Sequence, residues 1–581
     1  MADRRVRELV ANVGLVATTT TTHLTLDAVH FLVLVARRSP APLRQRVARG
    51  LGHAPWPEAA ALGELLADRP DAARTALQRG AAHPSHPGRP GRLRRRVRAA
   101  VAGQLGALPA GEVEFPVVAA RRAWAEGEDE YAVQLLSRAP SRAAASLLTA
   151  YRGELALRER GFRLPDAGRP YRPAAATSSV HLLVNSVPHT QSGYSLRSHG
   201  LLRALRAAGS DAHAVTRLGY PVTIGVVTAA HCDEVDGVPY HRLVRARPAP
   251  EHAQRLGQTA HLLAEIAGQL RPAVLHTTSP FQNGLIASAV ARGTQRPWVY
   301  EVRGRPELTW VARPDLTHVD PAPLARRVAA IAAKEIEVAR LADRVVTTSE
   351  TMRADLIARG VAAARLVVVP NAVDARLLTQ GPTRAQARAA VGIPDEDVWV
   401  GSITSVVDYE GLDTLVRAVG LARGRGVPVR CAIVGDGVAR PELLQLVSDL
   451  RLRDAVILPG RVPPDVAQAW HRALDIFAVP RRDLPVCRLV TPLKPVEAMA
   501  AGRALVVSDV PALAELVQTG AGLRVPADDP TALSLAIEAL VADPAQRHTC
   551  GEAGRELASR RTWETGARTI LDVYQDLARE G

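Results

Sequence analysis

The spacing of apolar positions indicates helices in the N-terminal part of the chain. From about Pro57 to Gly161, apolar residues recur at every third or fourth position in a sequence rich in alanine, leucine and arginine, as expected for helices that bury one face. The stretch Ala120–Gly127, followed by Ala132–Leu136, resembles one unit of a helical-hairpin repeat, although no second copy is evident at a fixed period. Pro84 to Arg98 combines prolines, glycines and arginines, which predicts a loop that enters a basic helix.

From Ser179 onward the pattern changes to short apolar runs, typical of buried strands, that alternate with amphipathic helices. A polar connection near Gly381–Pro394 separates two such sets. Because this alternation is typical of parallel sheets flanked by helices, the fold class is predicted as α/β, with two doubly wound Rossmann-like domains preceded by an all-α region. The predicted strands are Val180–Val184, Ala212–Val215, Val274–Leu275, Trp298–Val302, Arg344–Thr347, Leu366–Val369, Val398–Ile403, Val429–Val434, Val456–Leu458, Ile476–Val479 and Ala504–Val507.

These patterns divide the chain into four parts. We expect a helical, basic region with its linker over residues 1–175, a first Rossmann-like domain over 176–385, a second over 386–560, and a terminal helix over 561–581. Ligands of doubly wound sheets bind outside the carboxyl ends of the strands, so the two domains are expected to face each other across a ligand cleft.

The net charge of +15 is concentrated at the front of the chain. Residues 1–175 contain 27 Lys and Arg against 16 Asp and Glu. The densest arginine run has no interleaved aromatic residues and the region has no recognition motif, so we expect no nucleic-acid partner. Two interpretations stay open, a solvated helical surface and a face that contacts an anionic membrane.

Cysteine usage and the N-terminus point to the cytoplasm. Four scattered cysteines form no C-x-x-C pair, which argues against a zinc site and against a secreted disulfide framework. The apolar stretch from Leu9 to Ala36 is interrupted by threonines, histidines and Asp27, so it is a poor match to a signal peptide or a membrane span. We expect a cytoplasmic protein, with peripheral association at the inner membrane face as the alternative.

Candidate chemistry lies mainly at strand-to-helix transitions, where helix N-termini favour anions. The most informative stretch is Arg481–Asp509, in which Pro495 suits the first turn of a short helix and Gly502 its end. Glu497, early in that helix, can accept two hydroxyls of a ribose. Lys494 stands just before it and is one of only two lysines among 73 basic residues.

Several weak motifs occur in a particular order from Val180 to the end of the chain. They are Ser192–Tyr194, Val299–Gly304, Ala342–Glu350, Val369–Asp374, Asp408–Asp413, Ile433–Gly437, Pro459–Val462, Pro492–Gly502 and Thr562–Glu564. In this order they resemble the family 4 glycosyltransferases, which have a two-Rossmann-domain, B-type fold. The resemblance covers roughly the last 400 residues.

The resemblance implies transfer of a sugar from a nucleotide-sugar donor to a glycan, lipid or small-molecule acceptor. Family members typically transfer with retention of configuration and need no metal, so no cofactor beyond the donor is expected. The C-terminal domain would hold the donor and the N-terminal domain the acceptor, with His189 and His276 as secondary contacts. The predicted donor-binding residues, including the proposed substitutes Arg482 and Lys494, are Gly193, Tyr194, Asn371, Gly435, Gly460, Arg461, Val462, Arg482, Lys494 and Glu497.

Two departures from the family pattern shape the predicted catalytic residues. Ser405 and Glu410 stand where many members have an arginine and a lysine that clamp the diphosphate. Lys494, with Arg481 or Arg482, is the expected substitute, since the leaving group still needs a nearby cation. Where the family usually has a histidine near the sugar, this chain has Glu301 and Arg303. Glu301, Arg303 and Lys494 are therefore the predicted catalytic residues.

A third departure concerns the first of two glutamates that the family separates by seven residues. Leu489 occupies that position. The donor identity therefore stays open, and so does loss of activity. The alternatives are a non-catalytic, sugar-nucleotide-binding or scaffold protein that works through its helical N-terminal region, and a sugar-nucleotide epimerase of the same fold.

Overall fold

The N-terminal region is helical, as predicted. The computed structural model describes residues 2–81, 89–105, 115–379 and 381–580. Of the loop predicted in Pro84 to Arg98, residues 84–88 lie outside the described residues, and a helix begins at Arg89. α1 contains one residue with non-helical backbone angles, Asp27. The helices are α1 (Ala2–Arg38), α2 (Ala41–Gly52), α3 (Pro57–Leu66), α4 (Pro70–Ala81), α5 (Arg89–Gln104), α6 (Pro116–Ala125), α7 (Asp129–Ser137) and α8 (Arg142–Arg158).

Two helical hairpins of this region, α3–α4 and α6–α7, share the positions of their starts, turns and buried alanines. Their first helices begin at Pro57 and Pro116, and their turns contain Asp68 and Gly127, both with positive φ. The sequence separation between Pro57 and Pro116 also separates two pairs of buried alanines, Ala61 from Ala120 and Ala73 from Ala132. Only small buried positions and turns correspond between the two hairpins, so the helical-hairpin repeat stays a prediction.

The first α/β domain is built on an eight-stranded sheet with the order β3-β4-β2-β1-β5-β6-β7-β8. All neighbours are parallel except β3 and β4, which form an antiparallel edge pair. Its strands are β1 (Ser179–Leu183), β2 (Ala212–Thr216), β3 (Cys232–Val235), β4 (Val238–Arg242), β5 (Val274–Thr278), β6 (Trp298–Val302), β7 (Arg344–Thr347) and β8 (Leu366–Val368). Its helices are α9 (Gly193–Ala207), α10 (His252–Leu270), α11 (Phe281–Thr294), α12 (Pro306–Val311), α13 (Pro321–Leu341) and α14 (Glu350–Ala358).

The second α/β domain has an all-parallel six-stranded sheet with the order β11-β10-β9-β12-β13-β14, which is the strand order of a Rossmann fold. Its strands are β9 (Val398–Ile403), β10 (Val429–Val434), β11 (Val456–Gly460), β12 (Ile476–Val479), β13 (Ala504–Ser508) and β14 (Gly522–Val525). The remaining helices are α15 (Arg376–Thr379), α16 (Arg384–Val391), α17 (Leu412–Gly424), α18 (Arg440–Asp449), α19 (Pro464–Ala473), α20 (Pro485–Leu489), α21 (Lys494–Ala500), α22 (Pro511–Val517), α23 (Pro530–Ala542), α24 (Pro544–Ser559) and α25 (Trp563–Glu580).

One helix occupies a segment that the sequence pattern assigned to a polar connection. α16 lies within residues 381–394, begins with a capping box formed by Thr383 and Gln386, and ends at Gly392 in the left-handed region. The apolar pattern did not predict this short helix because most of its residues are polar or exposed, and only Ala387 and Arg388 are buried.

Apolar cores cover both faces of each sheet. Leu182 and Leu275 contribute to the core on one face of the first sheet, and Leu183 and Val274 to the core on the other. α25 returns from the second domain and buries Ile570 and Tyr574 in this latter core. The two α/β domains are thus joined by the crossing of the chain after β8 and by the return of α25.

The helical N-terminal region packs against the first α/β domain. Leu157 and Leu164 are buried in the same core as the strands of the first sheet. The buried ammonium group of Lys334 donates to the carbonyls of Glu159 and Phe162, at 2.9 and 3.0 Å. Interactions of this kind satisfy buried polar groups at the end of α8 and fix the region to α13.

Candidate active site

A deep cleft lies between the carboxyl ends of the two sheets. It has a volume of about 870 Å³ and is walled by α9, by the loops that follow β6, β7 and β8, by the loops that follow β9 to β12, and by α21. Parallel strands of both sheets end at this cleft, as expected for a ligand site in doubly wound domains.

The N-terminus of α9 forms one wall. Ser192 caps the helix, since its Oγ accepts from the Ser195 backbone N–H at 3.3 Å while Ser195 Oγ accepts from the Ser192 N–H at 2.8 Å. Gly193, the first helical residue, has no atom within 4 Å of the place where a Cβ would stand. Its backbone is therefore open to the cleft. Tyr194 follows with about half of its surface exposed, 51%.

Arg303 lies in the cleft wall, whereas Glu301 is fully buried behind it. Glu301 binds Arg303 and also Arg197, whose Nε donates to Glu301 Oε1 at 2.9 Å. Burial alone raises the pKa of Glu301, but the guanidinium groups of Arg303 and Arg197 hold it well below its usual range. Glu301 is thus an ionised partner that orients two arginines.

The Arg303 side chain is further fixed by two hydrogen bonds from Nη1, to the Tyr194 carbonyl at 3.0 Å and to Ser198 Oγ at 2.6 Å. Its Nε is buried and has no hydrogen-bond partner among the described residues. One carboxylate, that of Glu301, serves both Arg303 and Arg197, so this part of the wall has an excess of positive charge.

The two predicted histidines do not line the cleft. His276 is buried on β5, where its Nδ1 lies 2.7 Å from the Tyr574 hydroxyl and its ring stacks on His181. Burial lowers the pKa of His276. His189 pairs with Asp233 at 3.4 Å. His276 therefore connects β5 to α25, and His189 contacts β3, and neither reaches the ligand space.

Glu497 lies in the cleft wall on α21, and two neighbours hold its carboxylate. Lys494 Nζ donates to Glu497 Oε2 at 2.9 Å, and His471 Nε2 lies 3.1 Å from the same oxygen. Burial raises the pKa of Glu497, yet Lys494 and His471 outweigh it and lower the pKa to about 2. Glu497 is thus ionised at neutral pH.

His471 is a site residue that the sequence pattern did not reveal. It lies on α19, is buried, and has its pKa lowered by burial, so its neutral ring donates from Nε2 to Glu497. Both His471 and Lys494 act on Oε2. Among the described residues no hydrogen bond reaches the second oxygen of Glu497, Oε1, so it can accept from a ligand.

The two arginines proposed to assist Lys494 have different surroundings. Arg481 lines the cleft, and its Nη2 and Nε donate to the two carboxylate oxygens of Glu410 at 2.6 and 3.2 Å. Arg482 points elsewhere, since it does not line the cleft and binds Asp408, Asp413 and Asp528. Glu410, which stands where the family has a lysine, is thus neutralised by an arginine from the loop after β12.

The glycine turns of the second domain shape the far wall. Gly435 has a φ of +146° and an added Cβ would stand 1.8 Å from the Thr404 carbonyl oxygen, so only glycine fits there. Gly460 does not line the cleft, but its carbonyl accepts from the Gly435 N–H at 2.9 Å. Arg461 and Val462, which follow it, do line the cleft.

Asn371 joins the two domains at the base of the cleft. Its Nδ2 donates to the Thr491 carbonyl at 2.9 Å, and its Oδ1 accepts from Arg197 Nη1 at 3.3 Å. The same Arg197 binds Glu301. A continuous set of hydrogen bonds therefore runs from the buried arginines of the first domain to the loop that precedes α21.

The cleft collects most of the residues expected from the sequence. Outside it lie Glu301, Gly460, Arg482, His189 and His276. Within the described ranges, no cluster of three or more His, Cys, Asp or Glu side chains could hold a metal ion. The same ranges contain no helix with the length and apolarity to cross a membrane. The predicted residues that line the cleft are Gly193, Tyr194, Arg303, Asn371, Gly435, Arg461, Val462, Lys494 and Glu497.

Comparison with known proteins agrees with this architecture. A family model described as "Glycosyl transferase 4-like domain" matches residues 192–372, and one described as "Glycosyl transferases group 1" matches residues 397–543. A sucrose-phosphate synthase structure from Thermosynechococcus elongatus, 22% identical, superposes with a TM-score of 0.56 over 70% of this chain and 100% of that chain. At this identity the likeness establishes the two-domain fold.

Two curated relatives align with part of the chain. A D-inositol 3-phosphate glycosyltransferase of Kineococcus radiotolerans is 32% identical over 42% of this chain and 61% of its own length. A GDP-mannose-dependent alpha-(1-6)-phosphatidylinositol monomannoside mannosyltransferase of Mycolicibacterium smegmatis is 32% identical over 39% of this chain and 61% of its own length. The chain thus spans about three fifths of the length of these relatives. The two family models together match more than half of the chain, which belongs to the family 4 (group 1) glycosyltransferases.

Proposed function

We propose that this chain transfers a sugar from a nucleotide-sugar donor to a glycan, lipid or small-molecule acceptor, with retention of configuration and without a metal. The observation that carries the proposal is the carboxylate of Glu497, which is ionised and held at Oε2 by Lys494 and His471. Its Oε1 can accept the two vicinal hydroxyls of a ribose. Relatives named for glycosyl transfer, one of them dependent on GDP-mannose, support a donor of this class.

Cations in the cleft wall suit the diphosphate of such a donor. Arg303, Lys494 and Arg461 line the cleft, and Arg303 shares a single carboxylate with Arg197. We assign to Arg303 and Lys494 the stabilisation of the charge that develops on the leaving diphosphate, because cations that are already fixed in place stabilise such charge without reorganising. Glu301 holds Arg303 in position.

The proposed step moves one sugar and one proton. The bond from the anomeric carbon to the diphosphate oxygen breaks, a bond from that carbon to the acceptor oxygen forms, and the acceptor proton passes to the leaving diphosphate. No side-chain nucleophile is required. This is consistent with the carboxylates of Glu410 and Glu497, each of which is paired with a cation. The cations of the wall balance the charge of the product.

The test is a transfer assay on the intact chain with UDP-, GDP- and ADP-sugars and a panel of acceptors. We expect acceptor-dependent release of nucleoside diphosphate from one donor, insensitivity to EDTA, and a product whose anomeric configuration in NMR spectra is that of the donor. Absence of binding and release across the panel would contradict the proposal. Binding without release would favour the non-catalytic alternative, and conversion of the donor without acceptor would favour the epimerase.

We also propose that the protein works in the cytoplasm and associates peripherally with the inner membrane face. The basic charge of residues 1–175 supports this location, because anionic lipids attract clustered arginines.

A further inference from the structure

Exposed apolar side chains are concentrated at the N-terminus of the chain. Among the described residues, nine of the eighteen large apolar side chains that are exposed belong to α1 and α2. On α1, Val6, Leu9, Val10 and Val13 follow one another at the spacing of a single helix face. We call the exposed apolar side chains of α1 and α2, with the exposed arginines beside them, the α1–α2 face.

The opposite side of α1 is fixed to the first α/β domain. Asn12 Nδ2 donates to the carbonyls of Val227 and Ala229 at 2.8 and 2.9 Å, and Leu15 is buried. Thr18 Oγ1 donates to the Ala246 carbonyl at 2.9 Å. The apolar stripe is therefore the exposed side of a helix that already has a packed side, and none of the residues that the structure describes covers it.

Beside the stripe, acidic Asp3 and Glu8 accompany Arg5 and Arg7, whereas the charge from the end of α1 through α2 has one sign. Between Asp27 and Glu58 the sequence contains five arginines and no acidic residue. Arg46 and Arg49 of α2 are exposed beside the exposed Leu43 and Val47. The α1–α2 face thus combines aliphatic side chains with cations, which is the composition of helices that lie in the interface of an anionic bilayer.

We propose that the α1–α2 face lies on an anionic lipid bilayer, with its valines and leucines at the boundary of the acyl chains and its arginines among the headgroups. This inference rests on the proposed peripheral location and adds the surface responsible for it. A span is not involved, because no helix of the described residues could cross a membrane.

Other occupants suit the α1–α2 face less well. Single-stranded nucleic acid stacks its bases on aromatic side chains, whereas the exposed apolar residues of α1 and α2 are valine and leucine. A second copy of the chain across a two-fold axis would bring the arginines of α2 towards one another. Anionic lipid matches both features, because acyl chains can contact the apolar stripe and anionic headgroups can bind the arginines.

The experiment is co-sedimentation of the intact chain with phosphatidylcholine vesicles, with and without phosphatidylglycerol. We expect binding only to the anionic vesicles, and weaker binding as salt rises. The double variant Val10→Ser and Val13→Ser should weaken vesicle binding about tenfold or more, and Arg46→Gln with Arg49→Gln about fivefold for each charge. The matched control is Leu444→Ser with Leu535→Ser, exposed positions on the second domain, which should bind as the unmodified chain does.

Unchanged vesicle binding in both α1–α2 variants would overturn the proposal, as would equal binding to neutral vesicles or none to either kind. Concentration-dependent dimers in sedimentation velocity that these variants abolish would instead assign the α1–α2 face to a second copy. Release of nucleoside diphosphate with a soluble acceptor, measured without vesicles, should be the same for all variants. A failure of the docking surface is therefore separable from a failure of glycosyl transfer.

Discussion

At the scale of single residues, the donor side of the cleft depends on how charges are paired. Lys494 is the counterion of Glu497, and Arg481 is the counterion of Glu410. In each pair, both the cation and the anion lie in the cleft wall. Each therefore binds its partner and can also bind a ligand. We expect the two members of a pair to affect different kinetic constants, so single substitutions can distinguish their roles.

Glu497→Gln should weaken donor binding ten- to hundredfold, because hydrogen bonds to a charged group contribute about 1.5–3 kcal/mol. The measurement is KM for the nucleotide sugar, with kcat changed less than KM. Glu442→Gln, an exposed position on α18, is the matched control. Equal KM for Glu497→Gln and the control would exclude Glu497 as a ribose ligand.

Lys494→Ala should lower kcat/KM by about 2–4 kcal/mol of transition-state stabilisation, the amount lost with one contact to developing negative charge. It should also raise the pKa of Glu497, since the Lys494 ammonium is the main group that lowers that pKa. Steady-state kinetics on a variant with an unchanged circular dichroism spectrum is the measurement. An unchanged kcat/KM would leave Lys494 only a counterion.

Some positions of the cleft wall follow from motifs in the sequence, but their hydrogen-bond partners do not. Gly193, Lys494 and Glu497 occupy motif positions with a known place relative to strand ends, and they line the cleft. Nothing in the local sequence indicates that His471 of α19 bonds to Glu497, or that Arg482 turns away to three aspartates. Pairings of this kind depend on which strands become neighbours.

At the scale of elements, α25 is held to the first sheet by a buried polar contact. The Tyr574 hydroxyl lies 2.7 Å from His276 Nδ1 and 3.1 Å from His181 Nε2. Tyr574→Phe should therefore reduce the free energy of unfolding by about 1–3 kcal/mol, because it leaves a buried ring nitrogen without its partner. Urea denaturation measures this, with Tyr131→Phe, half exposed, as the control. Equal losses in both variants would contradict the prediction.

A buried carboxyl, Glu335 of α13, joins three elements of the first domain. Its oxygens accept from the Tyr300 hydroxyl of β6 at 2.5 Å and from the Phe281 N–H of α11 at 2.7 Å. Burial outweighs these hydrogen bonds and raises the pKa of Glu335 from 4.5 to about 7. The folded chain thus holds a proton that the unfolded chain releases between these values.

The unfolding free energy should fall as pH rises through that window, because the unfolded state binds fewer protons there. The contribution is on the order of 3 kcal/mol. Urea denaturation at about pH 5 and about pH 8 should show a smaller difference for Glu335→Gln than for the unmodified chain. An identical pH dependence in the variant would show that Glu335 does not titrate in this range.

Element prediction succeeded where apolar runs are buried on both faces, and it missed three strands, β3, β4 and the partly exposed β14. The central strands of both sheets follow the predicted order of runs. β3 and β4 were missed because β3 is partly exposed, although Asp236 and Gly237, both with positive φ, form the type of turn that signals a hairpin.

At the scale of the whole molecule, the helical region and the first α/β domain share a core. Leu157, Leu164 and Ala167 belong to the core that includes Val180. The proposed boundary at residue 175 can be tested with two fragments. A fragment of residues 139–581 keeps α8 and these core residues, so it should be more soluble and melt at a higher temperature than a fragment of residues 176–581. Equal melting temperatures would support the boundary at residue 175.

The central claim is that the cleft between the two domains binds a nucleotide sugar through Glu497. The most direct measurement is a thermal-shift titration of the intact chain with nucleoside diphosphates and nucleotide sugars, in parallel with Glu497→Gln. One nucleotide series should stabilise the chain by about 2.7 kcal/mol at a hundred times its dissociation constant, and the variant should need a higher concentration for the same shift. No stabilisation by any nucleotide, or an identical titration of the variant, would contradict the account.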